Sequence, residues 1–313
     1  MKQERPRLLV TGASGFVGAH LALGFAREGY EVVGIGGTAA CAEAVTRVCT
    51  HTRQIDLLDA RGVQKLVSET EPNVIVHAAA LAQADRCEHD ADLAERSNVR
   101  ATEILVSAAE ELPQRPRFAY VSTDLVFDGI RDLTGRLDEH AVPKPASVYG
   151  ATKRRGELVV QGSSLPRLIA RTCLVYGGSV GGRSGFLGWM RGALERAEPV
   201  RLFADEWRTP IYAGDLAPVL AAAIFNDTLW QAENPVVHLC GPDRLSRFQF
   251  GELFADEFGF SRALLVACSQ REMPTRAPRP QDVSLCSAVP LGVRPRGVRD
   301  GLAALRAQGL RLG

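Results

Sequence analysis

Lysine is scarce in this 313-residue chain: Lys2, Lys65, Lys144 and Lys153 are the only four among 37 basic residues, and the other 33 are arginine. A lysine is here the unusual choice of cation. Excess charge of either sign is also missing, since 37 basic residues against 36 acidic ones leave a net charge of +1. That balance excludes the basic face or tail of a nucleic-acid binder. No CxxC pair occurs, and the seven cysteines (Cys41, Cys49, Cys87, Cys173, Cys240, Cys268, Cys286) are scattered and odd in number. Disulfide-scaffold and zinc readings both fail on that spacing, so the thiols read as reduced core residues of a cytoplasmic protein. His51, His77 and His89 show no metal spacing either, and no metal is expected. Residues 1–7 are charged and run straight into an apolar strand, unlike a secretory leader. The apolar run 216–225 contains Pro218 and is too short for a bilayer, so no membrane partner is expected.

What the chain does have is alternation. Apolar, β-rich runs at 7–10, 31–35, 73–77, 117–122 and 167–171 alternate with helix-length amphipathic segments at 15–27, 59–70, 92–111 and 148–161. This order predicts βαβ units: an α/β fold with a Rossmann-type, doubly wound parallel sheet. Beyond residue 172 the rhythm loosens into a Gly- and Arg-rich stretch at 177–188, with a helix over 186–197, a strand over 200–203 and a helix over 214–226. A strand over 235–240, a helix over 247–258 and a Pro-rich loop over 271–280 follow. The expected division is a dinucleotide-binding domain of residues 1–172, to which 207–240 return. A smaller, irregular C-terminal α/β lobe of 173–206 and 241–313 would bind substrate.

The first strand runs into Thr11-Gly-Ala-Ser-Gly-Phe-Val-Gly18, with Gly12, Gly15 and Gly18 three residues apart. A tight turn, a backbone close to a pyrophosphate and the free N–H groups of a helix start account for that spacing. Any strand-to-helix loop can be glycine-rich, but the first βα turn of a βαβ series favours dinucleotide binding. Gly12, Ser14, Gly15, Phe16, Val17 and Gly18 are the expected cofactor residues there. The second strand ends in Gly34-Ile-Gly-Gly-Thr38 with no carboxylate for the ribose hydroxyls of NAD. NADPH is therefore expected, with Thr38 and Arg53 as partners of its 2′-phosphate and NADH as the alternative.

Tyr149-Gly-Ala-Thr-Lys153 opens a helix, and a spacing of four puts both side chains on one face. A phenol with a pKa near ~10 gives up its proton to a reduced ketone only if its anion is stabilised, and a neighbouring ammonium does that. Arg154 and Arg155 follow Lys153 directly, so an arginine would have been the easier cation to place. Upstream, Ser122-Thr123-Asp124 closes a strand at the edge where ligands of such sheets bind. A hydroxyl there can hydrogen-bond a substrate carbonyl, although a turn-capping cluster has the same composition.

These residues carry a resemblance. TGASGFVG (11–18), HAAA (77–80), NVRATEIL (98–105), STDLVFDG (122–129), YGATKRRGE (149–157), RTCLVYG (171–177), WRTPIYAGDLA (207–217) and the run from 279 to 285 span nearly the whole chain. Together they resemble the extended short-chain dehydrogenase/reductases, and within them the dTDP-4-dehydrorhamnose reductase family of sugar-nucleotide reductases. The resemblance implies Thr123, Tyr149 and Lys153 as the catalytic triad, with Lys153 also bonding the nicotinamide ribose. It implies Asp56 and Leu57 beside the adenine, Ala78, Ala79 and Ala80 as the cofactor floor, and Asn98 as an active-site helix residue. Asp124, Leu125, Leu174, Trp207 and Arg208 would face the substrate, a nucleotide-linked 4-keto-6-deoxy sugar reduced at C4. Helices 92–111 and 148–161 would form a homodimer surface. Leu125 and Leu174 stand where those reductases usually carry Tyr and Trp, so the sugar itself is left open.

Two other classes fit parts of the pattern. An NADP-binding regulatory subunit like that of methionine adenosyltransferase shares features with Leu125, Leu174 and Cys87-Glu88, and a sugar-nucleotide epimerase or dehydratase could use Asp124 beside Thr123. Gly177-Gly-Ser-Val-Gly181 matches a hydrolase elbow with Asp215 and His238 in order, but glycines just after the serine weaken the helix that elbow needs. It reads as a substrate-side loop.

Overall fold

The computed structural model describes residues 5–129, 135–183, 185–233, 235–273 and 276–309. Residues 1–4 of the charged N-terminal stretch, Ser184 and residues 274–275 of the expected loop lie outside that range. Seven parallel strands form the main sheet: β1 (Arg7–Thr11), β2 (Glu31–Gly36), β3 (His51–Gln54), β4 (Val74–His77), β5 (Arg117–Thr123), β6 (Arg167–Thr172) and β7 (Val236–Leu239). Their order is β7-β6-β5-β4-β1-β2-β3. The chain winds one way from β1 to β3 and the other way from β4 onward. The crevice between β1 and β4 is thus the switch point where such sheets bind ligands.

The inner strands carry Leu, Val and Ile on both sides because helices cover both faces. On one face lie α1 (Phe16–Arg27) and α2 (Ala213–Ile224), which approach closely where the Cβ of Ala217 fills the space a side chain on Gly24 would need. On the other, α3 (Ala60–Thr70), α4 (Ala101–Glu110) and α5 (Val148–Gln161) pack around Leu9, Val67, Leu105, Phe118 and Val160. A third cluster around Tyr176, Met190, Phe250, Phe254 and Leu302 is the core of the C-terminal lobe, where Val200–Phe203 pairs with Leu265–Cys268. Among the described residues no helix is long and apolar enough to cross a membrane.

Several elements differ from expectation, among them the strand Leu265–Cys268, which was not foreseen. The single helix over 92–111 is a short helix Ala91–Glu95, a π-helical turn Arg96–Arg100 and then α4, preceded by another short helix, Ala84–His89. The π turn inserts one residue and re-aims the side chains of α4. β3 was not foreseen because its HTRQ is almost wholly exposed at the sheet edge and carries no apolar alternation. A C-terminal helix, Val298–Ala307, buries Val298, Leu302 and Leu305 against the second lobe and was also missed.

Candidate active site

A cavity of about 460 Å³ opens at the carboxyl ends of the central strands. Gly12, Gly15, Phe16, Val17 and Gly18 form one wall, and Thr123, Tyr149 and Lys153 another. Gly12 has φ +72°, and a Cβ on it would lie 2.7 Å from the Ala79 nitrogen. A Cβ on Gly18 would lie 2.2 Å from the Gly12 carbonyl oxygen. Helix α1 begins at this turn with no side-chain cap and no acidic residue in its first turn, so its N–H groups are left for an anion. The cradle fits a dinucleotide pyrophosphate. Ser14 sits half-buried in the turn, and Ala78 and Ala80 border the cavity.

Ala79 is held from behind. Its N–H donates to Thr11 Oγ1 (3.3 Å), which lies 2.7 Å from His77 Nδ1, while His77 Nε2 lies 3.0 Å from Thr102 Oγ1. Thr102 donates its own proton to the Asn98 carbonyl (2.8 Å), so it accepts from Nε2–H, and Nδ1 accepts from Thr11. Burial first, and then the Lys153 charge, push the His77 pKa down to about 3. The unfolded chain therefore binds one more proton than the folded one between about pH 6.5 and pH 3, and stability falls as pH drops through that window. The expected loss from this residue approaches about 4 kcal/mol at its acid end. Urea midpoints measured from pH 7 to pH 3 should fall less steeply in His77→Gln, which keeps hydrogen-bonding atoms but does not titrate.

Asn98 has a different task from the one expected. Its side chain accepts from Leu81 N (2.7 Å) and donates to the Leu81 carbonyl (3.1 Å) and Thr152 Oγ1 (2.9 Å). It ties the loop after β4 to α5. The expected residues at the adenine end are spread out. Thr38, Arg53 and Asp56 are exposed near the ends of β2 and β3, and Arg53 is paired with Glu69 (Nη1–Oε2, 2.6 Å). Leu57 is 8% exposed and packs in the core below, since its neighbours there are Leu9, Val33 and Ile35.

Helix α5 starts firmly: Ser147 Oγ accepts from Gly150 N (3.1 Å) and Glu88 accepts from Val148 N (2.7 Å). Its first turn brings Tyr149 to the cavity wall that Thr123, at the end of β5, also lines. Thr123 Oγ1 also donates to Asp124 (3.1 Å) and accepts from Leu125 N (3.2 Å). Burial and then the Asp124 carboxylate push the Tyr149 pKa up, against the Thr123 hydrogen bond. The expected net sharpening by Lys153 is reversed, and the phenol is held protonated. Lys153 is only 2% exposed, and burial, opposed by Glu157, lowers its pKa to about 7. Its Nζ lies 4.0 Å from the centroid of the Tyr120 ring. Glu157, one turn further on, accepts from Ser122 (2.6 Å), Arg171 (2.9 and 3.0 Å) and Arg154 (2.8 Å).

Leu125, Leu174 and Arg208 line the cavity. Arg208, however, is spent on structure, donating to the carbonyls of Trp207 (2.7 Å) and Pro280 (3.1 Å) with Asp124 3.5 Å away. Burial pushes the Asp124 pKa up, and Arg208 opposes it. Trp207 is not in the cavity wall; its ring stacks under the Arg244 guanidinium at 4.1 Å. Sequence reading missed Glu206, Arg247 and Arg279, which the structure brings to the cavity with Glu206 between the two arginines (2.7 and 3.8 Å). The 177–181 stretch is no elbow and lies on the cofactor side: Gly178 O bonds His20, Gly181 abuts Ala42, Asp215 binds Arg296 N, and His238 Nδ1 meets two carbonyls.

A family model described as the RmlD substrate binding domain matches residues 6–302. The chain belongs to that family. Within it and around it, the chain is 29% identical over 306 residues to a probable low-salt glycan biosynthesis reductase of Haloferax volcanii, covering 95% of this chain and 96% of that one. It is 28% identical to a dTDP-4-dehydrorhamnose reductase of Aggregatibacter actinomycetemcomitans (96% and 98% covered). The methionine adenosyltransferase 2 subunit beta of Bos taurus is also similar, at 26% (95% and 87% covered). A solved dTDP-4-dehydrorhamnose reductase of Clostridium acetobutylicum superposes with a TM-score of 0.81 at 24% identity, over 96% of this chain and 99% of that one, and shares the fold of this family member.

Proposed function

We propose that this chain is an NADPH-dependent reductase that delivers hydride to the C4 ketone of a nucleotide-linked 4-keto-6-deoxy sugar, with Tyr149 as the proton donor. The observation that carries the reading is the meeting of Thr123, Tyr149 and Lys153 in one cavity with the glycine turn at Gly12–Gly18. Relatives named as reductases over almost the full length support the same class. Bound along the Gly12–Gly18 turn, NADPH would provide the hydride for the carbonyl carbon. Thr123 orients the carbonyl oxygen, and Tyr149 gives its phenolic proton to that oxygen as negative charge develops on it. Lys153 then stabilises the phenolate until solvent returns the proton. At the opposite wall Arg208, Arg247 and Arg279 face the two carboxylates Asp124 and Glu206.

A partner-protein role like that of the adenosyltransferase subunit would make little use of a complete Thr123–Tyr149–Lys153 set, and dehydratase chemistry would need Asp124 free where Arg208 and Thr123 engage it. The homodimer belongs to the same reading, with Leu158 of α5 half exposed on the expected face. Mixing the protein with NADPH and a panel of nucleotide-linked 4-keto-6-deoxy sugars should deplete nicotinamide absorbance with at least one of them. Tight cofactor binding with no turnover on any member would favour the regulatory role instead.

A further inference from the structure

We propose that Tyr120 is a positioning residue for the active-site lysine: the face of its ring is the seat on which the Lys153 ammonium rests. Tyr120 points from the middle of β5 toward α5, fully buried, three residues before Thr123. The Lys153 Nζ lies 4.0 Å from its ring centroid, well within the range in which a ring face attracts a cation. Desolvation makes that attraction larger than it is at a surface, and Lys153 is desolvated.

The ring is itself fixed from two sides. A Cβ on Gly156, one turn past Lys153 on the same helix, would lie 2.1 Å from the Tyr120 hydroxyl oxygen, so the phenol occupies the space that Gly156 leaves open. The His77 ring packs against it at 5.6 Å between centroids. Helix α5 therefore grips the ring with Gly156 and presents Lys153 to its face, and the lysine is aimed without spending a hydrogen bond on the protein. Its donors stay free for the cavity.

The groups that face Lys153 are few. His77 on β4 is held neutral, Tyr149 shares its helix, and Glu157 is committed to Arg171, Ser122 and Arg154. Of these, Glu157 acts on the lysine charge from one turn away, while the ring lies directly against Nζ.

The inference rests on the reading of Lys153 as an active-site cation, but its test needs neither cofactor nor sugar. With only four lysines in the chain, ¹³C-labelled lysine side chains give four resonances, and Lys153→Met identifies the one that matters. In the wild-type protein that resonance should titrate near 7. In Tyr120→Phe, which keeps the ring, the midpoint should stay within a few tenths of a unit. In Tyr120→Leu it should fall by about one unit, because the charged form loses its partner. A Tyr120→Leu midpoint at or above the wild-type one overturns the proposal, as does a Phe variant that shifts like Leu. Should Tyr120→Leu not fold, stepwise fluorination of phenylalanine at 120 weakens the ring face at constant shape. A midpoint that falls with each fluorine supports the seat, and a flat series refutes it. Absence of turnover on keto sugars would count against the reductase reading and leave this titration intact.

Discussion

Tyr149→Phe is expected to lower kcat by roughly 10²- to 10⁴-fold while changing the dissociation constant of NADPH by less than about twofold. The substitution removes one oxygen from a ring that otherwise stays packed between Thr123 and the entrance of α5, so cofactor wall and fold are preserved. What the proposed mechanism would lose is the proton held ready for the carbonyl oxygen. The upward push on this phenol from burial and Asp124 means that the proton is present throughout the neutral range. On the proposed reading, donation would be driven by the alkoxide forming in the substrate and by the ammonium of Lys153. Single-turnover rates with a responsive keto sugar separate the effect on chemistry from any change in KM. A residual rate within tenfold of wild type would shift the donor to Asp124, the other acid of the cavity whose pKa burial pushes up.

Glu157→Ala is expected to be the most destabilising single change near the site, at about 3–5 kcal/mol. Glu157 is 0% exposed and gathers the guanidinium of Arg171, itself buried on β6, together with Ser122 from β5 and Arg154 from its own helix. Burial alone would raise the carboxyl pKa; the Arg171 contacts, with Ser122 and Arg154, more than offset it. Removing the carboxylate leaves the Arg171 charge uncompensated in the core, beneath the ring of Phe127. In a chain of this size the expected drop in Tm is on the order of 10 °C. Glu157→Gln, which keeps part of the hydrogen bonding, should lose less. Thermal melts of both variants check this, and a Glu157→Ala protein melting within about 2 °C of wild type would mean that the network carries little of the stability.

The core of the fold could be read from residues alone because β1, β2, β4, β5 and β6 are apolar runs buried on both faces, a pattern that survives without any tertiary information. β3 could not, since an edge strand of His, Thr, Arg and Gln has no such signature. The turn at Gly12–Gly18 and the Tyr149–Lys153 pair are local in sequence, and their spacing alone places them. Glu206, Arg247 and Arg279 lie far apart along the chain and meet only because the segment near Asp282 returns to bridge Trp207 and that near Leu285 to bridge Leu137. Trp207 was misjudged for the same reason: nothing local distinguishes a ring facing a pocket from one stacked under Arg244. Tyr120 looks like any aromatic of a buried strand until the helix opposite is in place. The π turn at Arg96–Arg100 is a one-residue insertion that an otherwise helical pattern hides, yet it is what turns Asn98 toward Leu81 and Thr152.

The most direct measurement tracks the hydrogen itself. NADPH deuterated at C4 of the nicotinamide on the transferred face, incubated with the protein and a nucleotide-linked 4-keto-6-deoxy sugar, should yield a product carrying one deuterium at the sugar C4, seen by mass spectrometry and NMR. In Tyr149→Phe the same label should arrive at the same carbon, far more slowly. A product without deuterium at C4, or formed with no loss of NADPH, would contradict direct transfer from cofactor to ketone in the cavity of Thr123, Tyr149 and Lys153.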